Sequence, residues 1–277
     1  MTTISPGGIA TPRRPFIEMA SLRSYWRAVA AILIVLAAYE AVARSGTFPR
    51  ALMPTLATVL WTLWDMLSDG TMLQHTAFTL YRVLFGFGLA MIVGIPLGIL
   101  MARSRLAESF FLPLVSAMMP IPSFALIPLF MLWFGIGNLT TIIIVFYAAT
   151  FPMLFNAWSG VRSVNPIWLR SAGAMGADEQ KLFWKVIIPG ASPFIITGMR
   201  QSFLRAWIAV VGAEMIAASS WGLGWVIFDA KEFLKTDVML ASLAMIGLMG
   251  FLFERLVFGS LERATVLRWG MMRSAKK

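Results

Sequence analysis

Charge-free apolar stretches recur along this chain, separated by short polar segments. A helix crossing about 30 Å of hydrocarbon needs roughly 20 apolar residues, and six such stretches can be drawn. The first, Ala28 to Ala43, follows Tyr25 and Trp26, residues that suit a membrane interface. The second runs from Val83 to Ala102. Ser109 to Val161 holds no charge and is too long for one crossing, so "FGIGN" from Phe134 to Asn138 is read as a break. It leaves helices near Leu112 to Trp133 and Leu139 to Trp158. The last two spans run from about Gly198 to Ser219 and from Val238 to Phe253. The pattern predicts an all-α integral membrane protein with six transmembrane helices.

Between the spans the pattern changes character. Pro54 to Ser68 places Leu56, Val59, Leu60, Leu63, Trp64 and Leu67 at helical spacing, with Asp65 and Asp69 off that face. This predicts a helix lying on the outer membrane surface rather than crossing it. In the second span Gly86, Ala90, Gly94, Gly98 and Ala102 recur every four residues, a stripe that lets another helix approach closely. It suits either a sliding surface or static packing.

The polar segment after the fourth span is the most patterned. Asn165 suits a helix cap and Pro166 a first turn. Gly176 suits a left-handed stop, and Asp178 caps a second helix, expected to end before Pro189. Ile167, Trp168, Ala172 and Met175 offer apolar contacts on the first helix; Leu182, Phe183 and Val186 do so on the second. Such a helix–bend–helix suits a partner's groove or a rest on lipid headgroups; the pattern leaves both open.

Composition agrees with the membrane reading: apolar residues make up 59% of 277 positions, charged residues 13%, and mean hydropathy is +0.79. With the amino terminus in the cytoplasm, all but Arg44, Arg50, Arg82, Lys231 and Lys235 of the 23 Lys and Arg fall inside. The acids show no such bias, as expected of a rule carried by Lys and Arg. Both termini are then cytoplasmic, and the net charge of +10 needs no nucleic-acid partner. The absence of cysteine excludes disulfides, Cys-ligated zinc and a thiol nucleophile; no metal or cofactor site is expected. "AVA" at Ala41 to Ala43 has the look of a signal-peptidase site, but the long lead and the nearby Tyr39 and Glu40 predict that the first helix is retained.

From Leu52 onward the chain resembles the permease subunits of binding-protein-dependent ABC importers for nitrate, sulfonate, taurine and bicarbonate. The resemblance rests on "HTAFTLYRVLFGFGLAMIVGIPLG" (His75 to Gly98), "PIPSFALIPLFMLWFGIG" (Pro120 to Gly137), "AEMIAASSWGLGWVI" (Ala213 to Ile227) and the polar loop. That loop is similar to the family's EAA motif, a Glu-Ala-Ala, three residues, Gly and a distal Leu-Pro. Ala172 matches the second Ala, Gly176 the Gly, and Ile188 with Pro189 the distal pair; Arg170 and Ser171 stand where Glu and the first Ala are expected.

The resemblance implies a type I importer permease, MetI-like in fold, in a bacterial inner membrane. Its partners would be ABC ATPases, a second permease copy as a homodimer, an extracytoplasmic solute-binding protein and membrane lipid. The chain itself has no G-x-x-x-x-G-K-[ST] loop to cradle ATP phosphates, so it is expected to be a transport subunit and not an enzyme. The ATPase-coupling residues would be Ala172, Met175, Gly176, Asp178, Leu182, Phe183 and Pro189. Polar groups inside helices, Ser123, Thr150, Asn156 and Glu214, are candidates for the translocation path. Glu214 also admits a structural reading, pairing with an Arg, because an intramembrane carboxylate needs a protein or water partner. The outer loop Trp221 to Asp237 is the candidate binding-protein contact, through Trp221, Trp225, Asp229, Lys231 and Glu232; a solvated turn anchored by Trp is the alternative.

The organisation expected is a cytoplasmic segment 1–27, a first transmembrane helix with the external helix over 28–76, a five-helix core over 77–258 containing loop 162–193, and a cytoplasmic tail 259–277. Two other classes fit less well. A hydrolase needs a nucleophile and base, yet His75 is the sole histidine and has no evident serine partner. A secondary transporter would show related halves or broken helices around midplane charges, which the sequence does not display.

Overall fold

The computed structural model describes residues 16–218 and 220–262. The far amino-terminal residues and the tail from 263 on lie outside the described residues, as does Ser219, the expected end of the fifth span. All regular structure among the described residues is helical. It forms two compact units, one up to Pro49 and one from Arg50 on. The first consists of α1 (Phe16–Arg44), 29 residues closed by a Glu40–Arg44 ion pair.

The second unit starts earlier than the expected boundary at 76/77, which would cut a helix. It opens with α2 (Leu56–Ser68), capped by Thr55, and continues into α3 (Thr71–Arg103). Asp69 accepts hydrogen bonds from the Thr71 N–H and hydroxyl at 2.8 and 2.7 Å, so α3 nucleates twelve residues or so before the expected apolar stretch. Val59, Leu63, Met66 and Leu67 of α2 pack with Met72, Leu223, Ala241 and Met245, and Thr62 donates to Asp237. Leu60, Trp61 and Trp64 face outward.

The expected span Leu112 to Trp133 is not one straight helix. α4 (Arg105–Met118) and the segment Ser123–Phe134, a 3₁₀ turn leading into α5 (Ile127–Phe134), meet at 89°. Pro120 and Pro122 carry no N–H, so the helical ladder cannot pass through 119–122; the Tyr147 hydroxyl instead donates to the Met118 carbonyl at 2.8 Å and pins the bend. The expected break at "FGIGN" is present: Gly135 and Gly137 have φ of 77° and 147°, and the Gly137 N–H donates to the Ala217 carbonyl at 2.8 Å.

α6 (Asn138–Arg162) is the central post, flanked by α3 and by α9 (Ile188–Ala217). Val83, Phe87 and Ala90 from α3, Val145, Ala149 and Met153 from α6, and Phe203, Ala206, Trp207 and Val210 from α9 form the main core. The small-residue stripe faces α6 so closely that a Cβ at Gly98 would stand 2.4 Å from the Leu154 carbonyl oxygen. That geometry is the static-packing reading of the stripe.

α7 (Pro166–Ala174) and α8 (Glu179–Leu182) follow. The second loop helix does not stop before Pro189. It passes through a π turn (Phe183–Ile187), in which the Ile188 N–H reaches back to Phe183, and continues as α9. The wider turn shifts the ladder where proline lacks a donor, so loop and span are one helical rod from Glu179 to Ala217. The segment expected as an outer loop is also helical: α10 (Leu223–Glu232) buries Leu223, Val226, Ile227 and Ala230. In the turn after it Leu234 holds a left-handed φ of 55°. α11 (Thr236–Leu252) passes through a second π turn (Phe253–Phe258) into α12 (Gly259–Glu262).

Among the described residues four helical rods are long and apolar enough to cross a membrane, and the bent α4–α5 pair makes a fifth. At 1.5 Å per residue α1 is about 44 Å long, enough to reach across on length alone, which is consistent with the expected six.

Candidate functional site

The loop after α6 is built by local chemistry. Asn165 Oδ1 accepts from the Ile167 N–H at 2.9 Å and Pro166 occupies the first turn, so α7 starts cleanly. It ends in a Schellman motif: the Ala177 N–H donates to Ala172 and the Gly176 N–H to Gly173, with Gly176 at φ 82°. Asp178 Oδ1 then accepts from the Lys181 N–H at 2.7 Å. That backbone bond, helped by the Lys181 side chain, holds the Asp178 carboxyl below its usual range. The cap it makes is therefore present at neutral pH and is lost only as pH falls through that lowered value.

The loop's apolar face differs from the one expected. Leu182 and Phe183 are half-buried, and Phe183 lies under the Arg103 guanidinium, 4.9 Å from its ring centre. Ala172 is buried. The outward groups are Met175, 82% exposed, and Trp184, 67% exposed, with Ile167 and Trp168 beside them. Trp184 escaped the sequence reading because the π turn rotates residues after Leu182 away from the ideal helical register. Trp168, Met175, Lys185, Val186 and Pro189 line a shallow groove of about 340 Å³ between α7 and the start of α9.

A second cluster joins the opposite ends of the rods. Arg82, only 2% exposed, donates through Nη1 to Glu214 Oε1 at 2.8 Å and to the Trp221 carbonyl, and through Nε to Asn138 Oδ1 at 2.9 Å. Glu214 Oε2 accepts from the Thr79 hydroxyl at 2.8 Å and the Gly224 N–H at 3.0 Å. Thr79 in turn accepts the Leu223 N–H, and His75 Nδ1 the Gly222 N–H at 3.1 Å, with the His75 ring stacked on Trp225. Gly222 has φ 139°, and a Cβ there would stand 2.5 Å from the Glu214 carboxyl carbon. Arg82 is thus not the outer-loop charge that the charge count assumed. His75, Thr79 and Arg82 share one face of α3 at i, i+4 and i+7, a polar stripe legible in the sequence.

The four polar candidates for the path are not brought together. Glu214 sits in the cluster just described. Thr150 donates to the Phe146 carbonyl against α3, and Asn156 donates to Pro152 and meets Gln201 at 3.3 Å. Ser123 alone lines a cavity of about 230 Å³ at the α4–α5 bend, with Tyr147, Phe151, Phe124 and Arg205. Arg200 and Arg205, counted as cytoplasmic loop charges, lie inside α9.

Of the outer candidates, Trp221 and Trp225 turn inward onto His75. Lys231 and Glu232 are exposed, Asp229 is half-buried, and Phe228, Phe233 and Leu234 add outward apolar surface.

Residues 94–263 match the protein family described as binding-protein-dependent transport system inner membrane component. The taurine transport system permease protein TauC of Escherichia coli is 39% identical over 186 residues, 67% of each chain. The putative aliphatic sulfonates transport permease protein SsuC of Bacillus subtilis is 30% identical over 236 residues, 85% of this chain and 84% of that one. The bicarbonate transport system permease protein CmpB of Synechococcus elongatus is 31% identical over 190 residues, 68% of each. A chain of the inward-facing MetNI methionine ABC transporter superposes with a TM-score of 0.58 at 18% identity, over 74% of this chain and 96% of that one; that likeness concerns the fold.

Proposed function

Because this chain belongs to the family of binding-protein-dependent transport system inner membrane components, it is the permease subunit of an ABC importer, and we propose that it carries a small anionic solute across the bacterial inner membrane. It is a transport subunit; ATP is hydrolysed on a separate subunit. Relatives named for taurine, aliphatic sulfonates and bicarbonate support the anionic class. ABC ATPases drive the transport, a second copy of this chain completes the path, and a solute-binding protein delivers the solute to the end of α10 and the turn after it, which carry Lys231, Glu232, Phe233 and Leu234.

One observation carries the mechanism: α8, the helix that follows the Gly176 bend, runs without a break into α9. ATPase closure pushes on Met175 and Trp184, the push enters the rod Glu179–Ala217 without a flexible joint, and the rod rocks against α6. The assembly thereby shifts between inward-open and outward-open states. Both termini are cytoplasmic in this arrangement, and the Arg82–Glu214 cluster fixes the outer end of the rod.

The test is made on the assembled transporter. A β-branched residue at Gly176 costs on the order of 1 to 3 kcal/mol of local backbone strain, and an anchoring aromatic is worth on the order of 2 kcal/mol to docking. Gly176→Val and Trp184→Ala are expected to insert and fold normally yet lose ATPase co-purification or uncouple hydrolysis from uptake. Wild-type assembly and uptake in both variants would remove this loop from the coupling role.

A further inference from the structure

Three arginines lie well away from the ends of the long rods, Arg82, Arg200 and Arg205, and two of them are neutralised within the chain. Arg82 is bound by Glu214, and Arg200 forms an ion pair with Glu254. Arg205 is different: among the described residues it has no hydrogen-bond or ion-pair partner. It stands about twelve residues, ~18 Å, from the outer end of α9. With the outer end of α9 at the surface of a hydrocarbon layer of about 30 Å, that is near mid-depth. Neither Glu214 nor Glu254 pairs with it: Glu214 is bound by Arg82 and Glu254 by Arg200. An unpaired intramembrane cation marks a functional site.

Its surroundings say which kind. Arg205 lines the cavity of about 230 Å³ at the α4–α5 bend together with Ser123 and Tyr147. A water molecule's share of liquid volume is about 30 Å³, so the cavity has room for a small solute. The Tyr147 donor is spent on the Met118 carbonyl, whereas the Ser123 hydroxyl has no partner among the described residues. The remaining lining, Met118, Pro122, Phe124, Phe151 and Ile208, is apolar, and the cavity is open on one side, where Arg205, Phe124 and Ile208 are exposed. A planar cationic fork and a free hydroxyl in an apolar cup are suited to an oxyanion.

We propose that Arg205 and Ser123 form a mid-membrane subsite that holds the anionic head, a sulfonate or carboxylate-like group, of the transported solute. This rests on the anion-import reading above and locates the recognition of charge within this chain, apart from the binding protein. Arg205 is the charge-binding residue, and the prolines 120 and 122 hold the bend that presents Ser123 to it.

Because the chain has no cysteine, Ser123→Cys gives one reporter thiol in it, read by mass on the assembled transporter in nanodiscs. The anionic probe is methanethiosulfonate ethylsulfonate and the cationic probe its trimethylammonium analogue. The anionic reagent is expected to react at least tenfold faster, Arg205→Lys to keep that preference and Arg205→Gln to abolish it. Equal rates with Arg205 present, no reaction with either probe, or a preference that survives Arg205→Gln would overturn the subsite. In parallel, Arg205→Gln is expected to raise the KM for taurine uptake at least tenfold and Arg205→Lys to raise it much less; unchanged KM in Arg205→Gln would also overturn it. A wild-type transporter that imports none of taurine, sulfonates or bicarbonate, yet keeps the reagent preference, would refute the proposed solute class and leave the anion subsite standing.

Discussion

At the residue scale the Arg82–Glu214 pair is the costliest feature of the chain. Both side chains are almost fully buried, at 2% and 0% exposure, and each has two further partners: Asn138 and the Trp221 carbonyl for Arg82, the Thr79 hydroxyl and Gly224 N–H for Glu214. Removing one partner leaves an uncompensated buried charge, a loss of about 3 to 5 kcal/mol, whereas replacing both by apolar groups of similar size restores much of it. Arg82→Met and Glu214→Met are therefore each expected to lower the thermal midpoint of the detergent-solubilised protein sharply, and the double variant to recover part of the loss. Additive losses in the double variant would show that the pair is not a unit. Glu214 is, in this geometry, the anchor of the α9–α10 turn, with Gly222 left as glycine because any side chain would enter the carboxylate.

The decisive contact between elements is that of α3 with α6. Gly98 allows the backbones to meet with no side chain between them, since a Cβ there would also come within 2.8 Å of the Ala157 Cβ. Gly98→Leu is expected to force the helices apart and to cost several kcal/mol, in the range of severe overpacking, seen as lost expression or a collapsed unfolding transition. Gly88, one of the glycines outside the stripe, has open space at its Cβ position. Gly88→Leu is the matched control and is expected to be tolerated; equal damage from both would mean that close approach is not what the stripe provides. The π turns at Phe183–Ile187 and Phe253–Phe258 belong to the same scale, since each carries a long helix through a segment where an ideal ladder would break or misregister.

For the whole molecule the testable quantity is orientation. A rod starting at Glu179 on one side and ending at Ala217 on the other fixes the relative sides of the Gly176 loop and α10; Lys and Arg outside the rods then set which side is the cytoplasm. Single cysteines at Ser104, where α3 meets α4, and at Ser68, at the end of α2, should be modified by a membrane-impermeant thiol reagent from opposite sides, Ser104→Cys from the cytoplasm and Ser68→Cys from outside. Modification of Ser68→Cys from the cytoplasm alone would reverse the proposed orientation. Arg82, Arg200 and Arg205 drop out of the charge balance because they lie within rods, and the excess of basic residues on the loop side survives their removal.

What the sequence determined by itself was the solvent, the helical class and the local punctuation. Charge-free stretches force helices in lipid because only helices satisfy their own backbone groups there, and Asn165, Gly176 and Asp178 act through neighbours a few residues away. The break at Gly135 and Gly137 was readable for the same reason. Tertiary structure alone decided what depends on distant partners. Arg82 looked like an outer charge until Glu214, far along the chain, neutralised it and let α3 extend outward past it. The bend at Pro120 and Pro122 needed Tyr147 to fix its direction, and Pro189 failed as a stop because the π turn supplied another hydrogen-bond register. Arg205 differs from Arg82 and Arg200 only through its neighbours, for an unpaired charge is defined by the packing around it and not by its place in the sequence.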